Sequence, residues 1–234
     1  MNKVLLYLVL SVWCIPAFAQ ECIVLLHGMA RSADSMKTMA KELEAEGYQV
    51  VNYDYPSTSF EIAELANVHV PLALAHCENT DTVNFVTHSL GGIIVRQYLS
   101  THTLDNLGRV VMLAPPNQGS EVVDTLRDIP VFEWINGPAG LQLGTEDESV
   151  PNTLGPVSYP VGVIAGSSTM NPLLSLMLPN PDDGKVSVER TKVKGMSDHI
   201  VLPVTHTFLM NDQAVIKQVK AFLETGKFEI KSQL

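Results

Sequence analysis

The segment Val83–Gly92 (VNFVTHSLGG) contains the residues of this chain best suited to chemistry. A β-branched and aromatic run reaches a central serine, Ser89, and an apolar helical stretch begins directly after it. Gly91 and Gly92 supply the small residues that a tight strand-to-helix turn requires, although Thr87 stands where a glycine is more usual. Such a turn exposes the hydroxyl at a helix N-terminus, where the helix dipole favours developing negative charge. The motif predicts a nucleophilic serine, and the alternative is a serine that only caps a helix.

The elements around this serine alternate between apolar strands and amphipathic helices. That order predicts an α/β fold with a doubly wound, mostly parallel sheet, right-handed crossovers and helices on both faces. The predicted strands are 23–26, 50–54, 83–86, 108–114 and 161–165, followed by a last short strand at 192–194.

The helices between these strands are predicted from the spacing of apolar residues and from capping signals. The first begins near Ser32, the next follows a capping box of Thr58 and Glu61, a third follows Ser89, and the last is 212–223. In the second helix, Pro71 predicts a kink.

Residues 115–160 interrupt the alternation with a long segment rich in Pro, Gly and Asn. Such an insertion beside the predicted site is typical of a cap or a binding loop, and one short helix is expected near 121–126. The apolar stretch 173–178 is expected to pack into the core rather than to form a lid. Candidate walls of a substrate pocket are Met29, Leu90, the 115–140 loop and this stretch.

Composition and the N-terminal residues limit the classes of function. A formal net charge of −10 without a Lys/Arg cluster argues against a nucleic-acid surface. Residues 1–19 combine Lys3, an apolar run and the small residues of a cleavage site, which predicts a secretory signal peptide, with an uncleaved anchor as the alternative. We expect a single domain over 20–234, secreted to the periplasm or beyond, without stable membrane insertion after signal cleavage.

Signal cleavage would leave two cysteines, Cys22 and Cys77, in an oxidising compartment. Cys22 immediately precedes the first predicted strand, and Cys77 lies shortly before strand 83–86. If these strands are neighbours in a parallel sheet, both cysteines lie at its N-terminal end, and the spacing of about 4.8 Å between neighbouring strands is within reach of a disulfide. We therefore predict a Cys22–Cys77 disulfide, and the alternative is two buried thiols.

Three features together resemble the α/β-hydrolase-fold lipases and esterases: His27-Gly28 after the first strand, the Thr-His-Ser-Leu-Gly-Gly turn, and a late Asp-Gly followed by a histidine. The resemblance covers nearly all of the mature chain and is strongest to small bacterial members of the lipase and GPI-inositol-deacylase-like branch. It implies a catalytic triad in the chain order Ser, Asp, His.

The resemblance assigns Ser89 as the nucleophile and leaves a choice for its two partners. Asp183, which precedes a glycine, is the preferred acid, and its neighbour Asp182 is the rival. His206, in the loop before the closing helix, is the preferred base, and the rival is His199. A serine needs such a base to remove its proton in the transition state.

The same resemblance implies an oxyanion hole made of the backbone amides of Met29 and Leu90, with His27 and Gly28 supporting the first of them. The implied reaction is hydrolysis of a small-molecule or lipid carboxylic ester through an acyl-enzyme, without a metal or cofactor. An acyltransferase, thioesterase or amidase could use the same triad. A non-catalytic binding protein is the alternative from another class.

Overall fold

The computed structural model describes residues 21–229, so the predicted signal peptide lies outside the described residues. Its strands are β1 (Glu21–Leu26), β2 (Gln49–Tyr53), β3 (Thr82–His88), β4 (Leu107–Leu113), β5 (Val161–Gly166) and β6 (Asp198–Leu202). They form one sheet in the order β2-β1-β3-β4-β5-β6, and each neighbouring pair is parallel. The predicted α/β fold class is confirmed.

Helices cover both faces of this sheet. They are α1 (Lys37–Glu44), α2 (Ile62–Leu74), α3 (Leu90–Thr101), α4 (Glu121–Leu126), α5 (Pro130–Leu141), α6 (Val150–Thr153), α7 (Pro172–Ser175) and α8 (Gln213–Thr225). Helices α2 and α3 pack on one face, and α1 and α8 pack on the other. Among the described helices, none combines the length and the apolar character needed to cross a bilayer.

Each central strand has side chains buried on both faces, because successive residues of a strand point in opposite directions. In β1, Val24 and Leu26 join the cluster under α2 and α3, whereas Ile23 and Leu25 join the cluster under α1 and α8. This two-sided burial explains why the strand is apolar throughout rather than alternating.

The predicted Cys22–Cys77 disulfide is present, with a Cα–Cα distance of 5.7 Å. Cys22 lies at the start of β1, beside Val83 of β3, and Cys77 lies in the connection that leads into β3. The bridge therefore closes the N-terminal end of the sheet, opposite the end at which Ser89 lies.

Two predictions about single elements are wrong. Residues 192–194 form no strand, since the sixth strand is β6, whose residues pair with β5. The capping box is also absent: Glu61 is the N-cap residue and its side chain makes no capping bond. Instead, the Ile62 amide donates to Oε1 of Gln142, 2.8 Å away, so a residue of the insertion caps α2.

The insertion, residues 115–160, is more helical than predicted, because α5 and α6 accompany the predicted α4. Gly137 divides α5 with a positive φ of 64°, and a side chain there would collide with the backbone of Thr58. The expectation that 173–178 packs into the core is wrong for most of it. Leu173 and Leu176 are 72% and 83% exposed, and Leu178 is buried.

Candidate active site

Ser89 lies in a sharp turn between β3 and α3. Its backbone has φ 51° and ψ −119°, a region that residues with a side chain seldom occupy. The turn is held close to β1: a Cβ on Gly91 would lie 2.6 Å from the Leu26 carbonyl oxygen and 2.9 Å from that of His27. This close approach explains why the motif requires glycine at position 91.

The loop after β1 is fixed beside this turn by buried polar contacts. The His27 ring stacks on Tyr55 with centroids 4.2 Å apart, and the Tyr55 hydroxyl donates to the His27 carbonyl at 2.6 Å. Further along, the Ala30 amide donates to Ser57 Oγ at 3.1 Å. Burial lowers the pKa of His27, which keeps the ring neutral in this apolar setting.

Two backbone amides at this end of the sheet have no partner in the described part of the chain. Within residues 21–229, neither the N–H of Met29 nor that of Leu90 donates to another protein group. Gly28 lets the loop approach the turn, since a Cβ there would lie 2.7 Å from His88 Nδ1 and 3.3 Å from Ser89 Cβ. The free amides thus lie on either side of the serine turn, as expected for a pair that could bind an oxyanion.

Asp183 and His206 form a buried pair. His206 Nδ1 donates to Asp183 Oδ2 at 2.7 Å, and the His206 amide donates to the Asp183 carbonyl oxygen at 3.1 Å. The other carboxylate oxygen accepts from the amides of Lys185 and Val186, at 3.0 and 2.8 Å. Because the carboxylate fixes the proton on Nδ1, the Nε2 atom of His206 is left unprotonated and able to accept a proton.

Ser89 and His206 line the same cavity, of about 250 Å³, although their side chains are not hydrogen-bonded to each other in this structure. Such bonds are often long in enzymes without substrate. The insertion supplies most of the apolar lining of this cavity, from Val122, Val123, Phe132, Ile135 and Leu143, together with the polar Ser120 and Asn136.

The predicted pocket walls are correct in part. Met29 and the insertion line the cavity. Leu90, the first residue of α3, does not, because its side chain is fully buried in the core cluster on the α2 and α3 face of the sheet. The stretch 173–178 does not line it either, because α7 lies at the surface away from the cavity.

The structure separates the two rival residues from the Asp183–His206 pair. Asp182 accepts from Ser175 Oγ at 2.6 Å and from the Gly184 amide at 2.7 Å, so its carboxylate closes a turn. His199 lies in β6 with Nε2 3.0 Å from Thr191 Oγ1. Among the described residues that line the cavity, neither appears.

His88 is a part of the site that the sequence analysis did not single out. Its Nε2 lies 3.0 Å from the His206 carbonyl oxygen, and since a carbonyl only accepts, Nε2 carries the proton. Burial, followed by the proximity of His206, holds the pKa of His88 well below 6.5, so the ring is neutral. A histidine next to the serine in the motif was the available signal.

Arg31 and Lys185 also line the cavity and were likewise missed. The signal that could have found them is position: Arg31 follows the His-Gly loop, and Lys185 follows Asp183 by two residues. Within residues 21–229, the structure contains no cluster of three or more His, Cys, Asp or Glu side chains suited to a metal ion.

A parallel sheet with a serine turn after the third strand defines the class of α/β hydrolases. The sequence profile of the Alpha/beta hydrolase family matches residues 23–209, and the chain belongs to that family. No curated protein matches the sequence of this chain.

Solved structures share the fold at low sequence identity. The mature form of the Bacillus licheniformis lipase BlEst2 is similar, with 17% identity and a TM-score of 0.67, over 92% of this chain and 96% of that one. Phospholipase PlaB from Legionella pneumophila has 17% identity and a TM-score of 0.69, over 89% of this chain and 60% of that one. The metagenomic carboxyl esterase MGS0156 has 17% identity and a TM-score of 0.66, over 82% and 66%.

Proposed function

We propose that this protein is a serine hydrolase of carboxylic esters, with Ser89 as nucleophile, His206 as base and Asp183 as its orienting acid. The observation that carries the proposal is the 2.7 Å bond between His206 and Asp183 at the wall of the cavity that Ser89 also lines. A serine alone is a weak nucleophile, and a base held in one tautomer by a carboxylate is what activates it.

In the proposed reaction, Ser89 Oγ attacks the ester carbonyl while His206 Nε2 accepts the hydroxyl proton. The negative oxygen of the tetrahedral intermediate is bound by the free amides of Met29 and Leu90. His206 then gives the proton to the leaving alcohol, and an acyl-enzyme remains on Ser89. Water, deprotonated by the same imidazole, attacks that acyl group and releases the acid.

The proposed substrate is a small-molecule or lipid ester. The apolar wall of the cavity supports an acyl chain or another apolar group on one side of the scissile bond. The names of the similar structures, a lipase, a phospholipase and a carboxyl esterase, agree with this class. Membership of the lipase and GPI-inositol-deacylase-like branch stays a prediction.

We also propose secretion to the periplasm or the exterior as a single domain. A disulfide between Cys22 and Cys77 is compatible with an oxidising compartment, where such bonds persist. The N-terminal sequence of the exported protein tests this: a mature chain that begins at Gln20 supports cleavage after Ala19.

The proposal is tested by labelling the folded protein with a fluorophosphonate and by measuring hydrolysis of 4-nitrophenyl esters across a chain-length series. We expect Ser89→Ala to abolish labelling and to lower kcat by about 10⁶-fold. Ser100→Ala is the matched control, because Ser100 lies exposed on α3 and bonds only to the Gln97 carbonyl oxygen.

Folded wild-type protein that resists labelling and cleaves no ester would overturn the proposal in favour of a binding protein. Labelling with transfer of the acyl group to an added alcohol or amine would instead indicate an acyltransferase. A parallel panel of thioesters and amides distinguishes the remaining activities that the same three residues could support.

A further inference from the structure

Two positive side chains, Arg31 and Lys185, face the cavity that contains Ser89. They come from different parts of the fold: Arg31 lies in the loop after β1, and Lys185 lies in the loop that carries Asp183. Both residues are exposed to solvent. The two loops thus bring two cations to one wall of a site in a protein whose net charge is −10.

No counter-charge accompanies them. Within residues 21–229, neither Arg31 nor Lys185 takes part in an ion pair, and no aspartate or glutamate lines the cavity. Asp183 does not pair with either cation, because its side chain is fully buried and its oxygens bond to His206 and to backbone amides. Other basic residues of the chain do have partners, as when Arg190 pairs with Glu121 at 2.7 Å.

The two charges influence each other and the reacting end of the cavity. Desolvation by partial burial against the cavity wall, and then the positive charge of Arg31, lower the pKa of Lys185, while Asp183 acts in the opposite direction. The Arg31 charge also contributes to lowering the pKa of His88, the residue before Ser89. Two like charges that line one cavity repel each other, and an anion bound to both of them would relieve the repulsion.

The fold does not need the Lys185 ammonium. The backbone of Lys185 is fixed at both ends, since its amide donates to Asp183 and its carbonyl oxygen accepts from Ser120 Oγ at 2.7 Å. Among the described residues, nothing accepts a hydrogen bond from its side chain. A lysine held by its backbone in a cavity wall with a free ammonium is therefore available for a ligand.

We propose that the cavity takes esters that carry an anionic group, a carboxylate or a phosphate, and that Arg31 and Lys185 bind this group. This inference rests on the proposed function, since it names the substrate class of the same site. The guanidinium can contact two oxygens of such a group in a fork, and the ammonium adds a third donor. The apolar wall of the insertion then receives the uncharged part of the substrate.

The decisive experiment measures binding to Ser89→Ala, which cannot turn the ligand over, by isothermal titration calorimetry. Two matched pairs place the charge on either side of the ester. Mono-4-nitrophenyl adipate against 4-nitrophenyl hexanoate varies the acyl side, and 4-acetoxybenzoate against 4-acetoxybenzamide varies the alcohol side. In at least one pair we expect the anionic ester to bind about tenfold more tightly, a difference of about 1.4 kcal/mol.

Removing the cations should remove this preference. Adding Lys185→Met or Arg31→Met to Ser89→Ala is expected to reduce the ratio of affinities to about threefold or less, as is raising the salt to about 0.5 M. Lys37→Met is the matched control, because it deletes the same charge from an exposed ion pair with Asp34 away from the cavity. Added to Ser89→Ala, this change should leave the ratio of affinities for the anionic and neutral esters as it is in Ser89→Ala alone.

The outcomes separate the inference from the proposed function. Equal affinity for the charged and neutral members of both pairs overturns the inference, even if wild-type protein hydrolyses neutral esters. A preference that survives both methionine substitutions overturns it as well. A wild-type protein that binds the anionic ester through these cations but hydrolyses neither member of either pair contradicts the proposed function alone.

Discussion

The carboxyl edge of the sheet and the insertion differ in how firmly their residues are held. At the edge, the turn at Ser89 is packed against the carbonyl oxygens of Leu26 and His27, and the side chains of His27, His88, Asp183 and His206 are all buried. In the insertion, the first half of α5 leaves large apolar side chains in water, with Trp134 83% exposed and Val131 52% exposed.

The insertion is fixed mainly at its base. The buried Arg96 of α3 donates to the backbone carbonyls of Asn117, Pro151 and Gly155, and thereby joins the two ends of the insertion to the sheet domain. Between these ends, α4 and α5 supply the apolar wall of the cavity. The difference teaches that two kinds of segment build the cavity: buried residues at the strand ends hold the proposed reacting groups, and a segment with exposed apolar side chains supplies most of its apolar lining.

The prediction with the largest expected effect compares the loss of kcat when one aspartate is changed in each region. Asp183→Asn should lower kcat by about 10⁴-fold, because an amide cannot hold the tautomer of His206 that accepts a proton. Asp124→Asn, in α4, replaces a carboxylate that binds Thr145 and Arg127 with a neutral amide. This change should alter kcat only a few-fold. Steady-state hydrolysis of a 4-nitrophenyl ester measures both.

Asp182→Asn is the control within the same loop. Its carboxylate bonds to Ser175 and Gly184 rather than to an imidazole, so the variant should keep kcat within about tenfold of wild type. If Asp182→Asn and Asp183→Asn lose activity equally, the assignment of the acid to Asp183 is wrong.

A second test compares the tolerance of the two regions to an added methyl group. Gly91→Ala should reduce the free energy of unfolding by about 2–3 kcal/mol, because the new Cβ meets the carbonyl oxygens of Leu26 and His27, which cannot move without shifting the end of β1. Gly155→Ala, at the end of the insertion, meets no atom within 4 Å and should cost about 1 kcal/mol, from its positive φ of 68° alone.

Urea unfolding at neutral pH measures both changes. The order of the two losses in free energy of unfolding matters more than either value. If Gly155→Ala loses as much as Gly91→Ala or more, the edge of the sheet is not the less tolerant region. Fluorophosphonate labelling of the folded Gly91→Ala protein then reports whether the displaced turn still presents Ser89.

The edge of the sheet and the insertion also differ in how much of their structure the sequence could predict. The strands β1, β3, β4 and β5 and the serine turn were predictable, because buried parallel strands are apolar throughout and the turn demands small residues. Residues 192–194 and β6 could not be told apart, since whether a short stretch pairs with β5 depends on the chain's path and not on its composition.

The insertion and the choice of acid required the structure for other reasons. Helix α5 contains Gly137 and Pro138, which predict a break, and its packing against Thr58 is a long-range contact that no local pattern reports. Asp182 and Asp183 are adjacent and chemically identical. Only their directions differ, towards Ser175 in one case and His206 in the other, and spacing does not record direction.

The smallest expected effect is that of acid on stability. As the pH falls, the edge of the sheet should be destabilised at a higher pH than the insertion. Burial lowers the pKa of His88 below 6.5, so the unfolded chain binds a proton there that the folded protein does not, and stability falls as the pH drops through about 6.5. The insertion contains no histidine. Its Glu146 has a pKa lowered by Arg127, so that ion pair keeps its contribution until the pH falls below 4.5.

The measurement is urea unfolding of wild type and His88→Asn at pH 7.5 and pH 5.5. The asparagine side chain is too short to keep the Nε2 bond to the His206 carbonyl oxygen, a loss that is the same at both pH values. Because asparagine does not titrate, the loss of stability between the two pH values should shrink by about 1 kcal/mol. His76→Asn, at an exposed position, is the control and should keep the wild-type loss. An unchanged loss in His88→Asn would show that His88 is not the group through which acid weakens the edge.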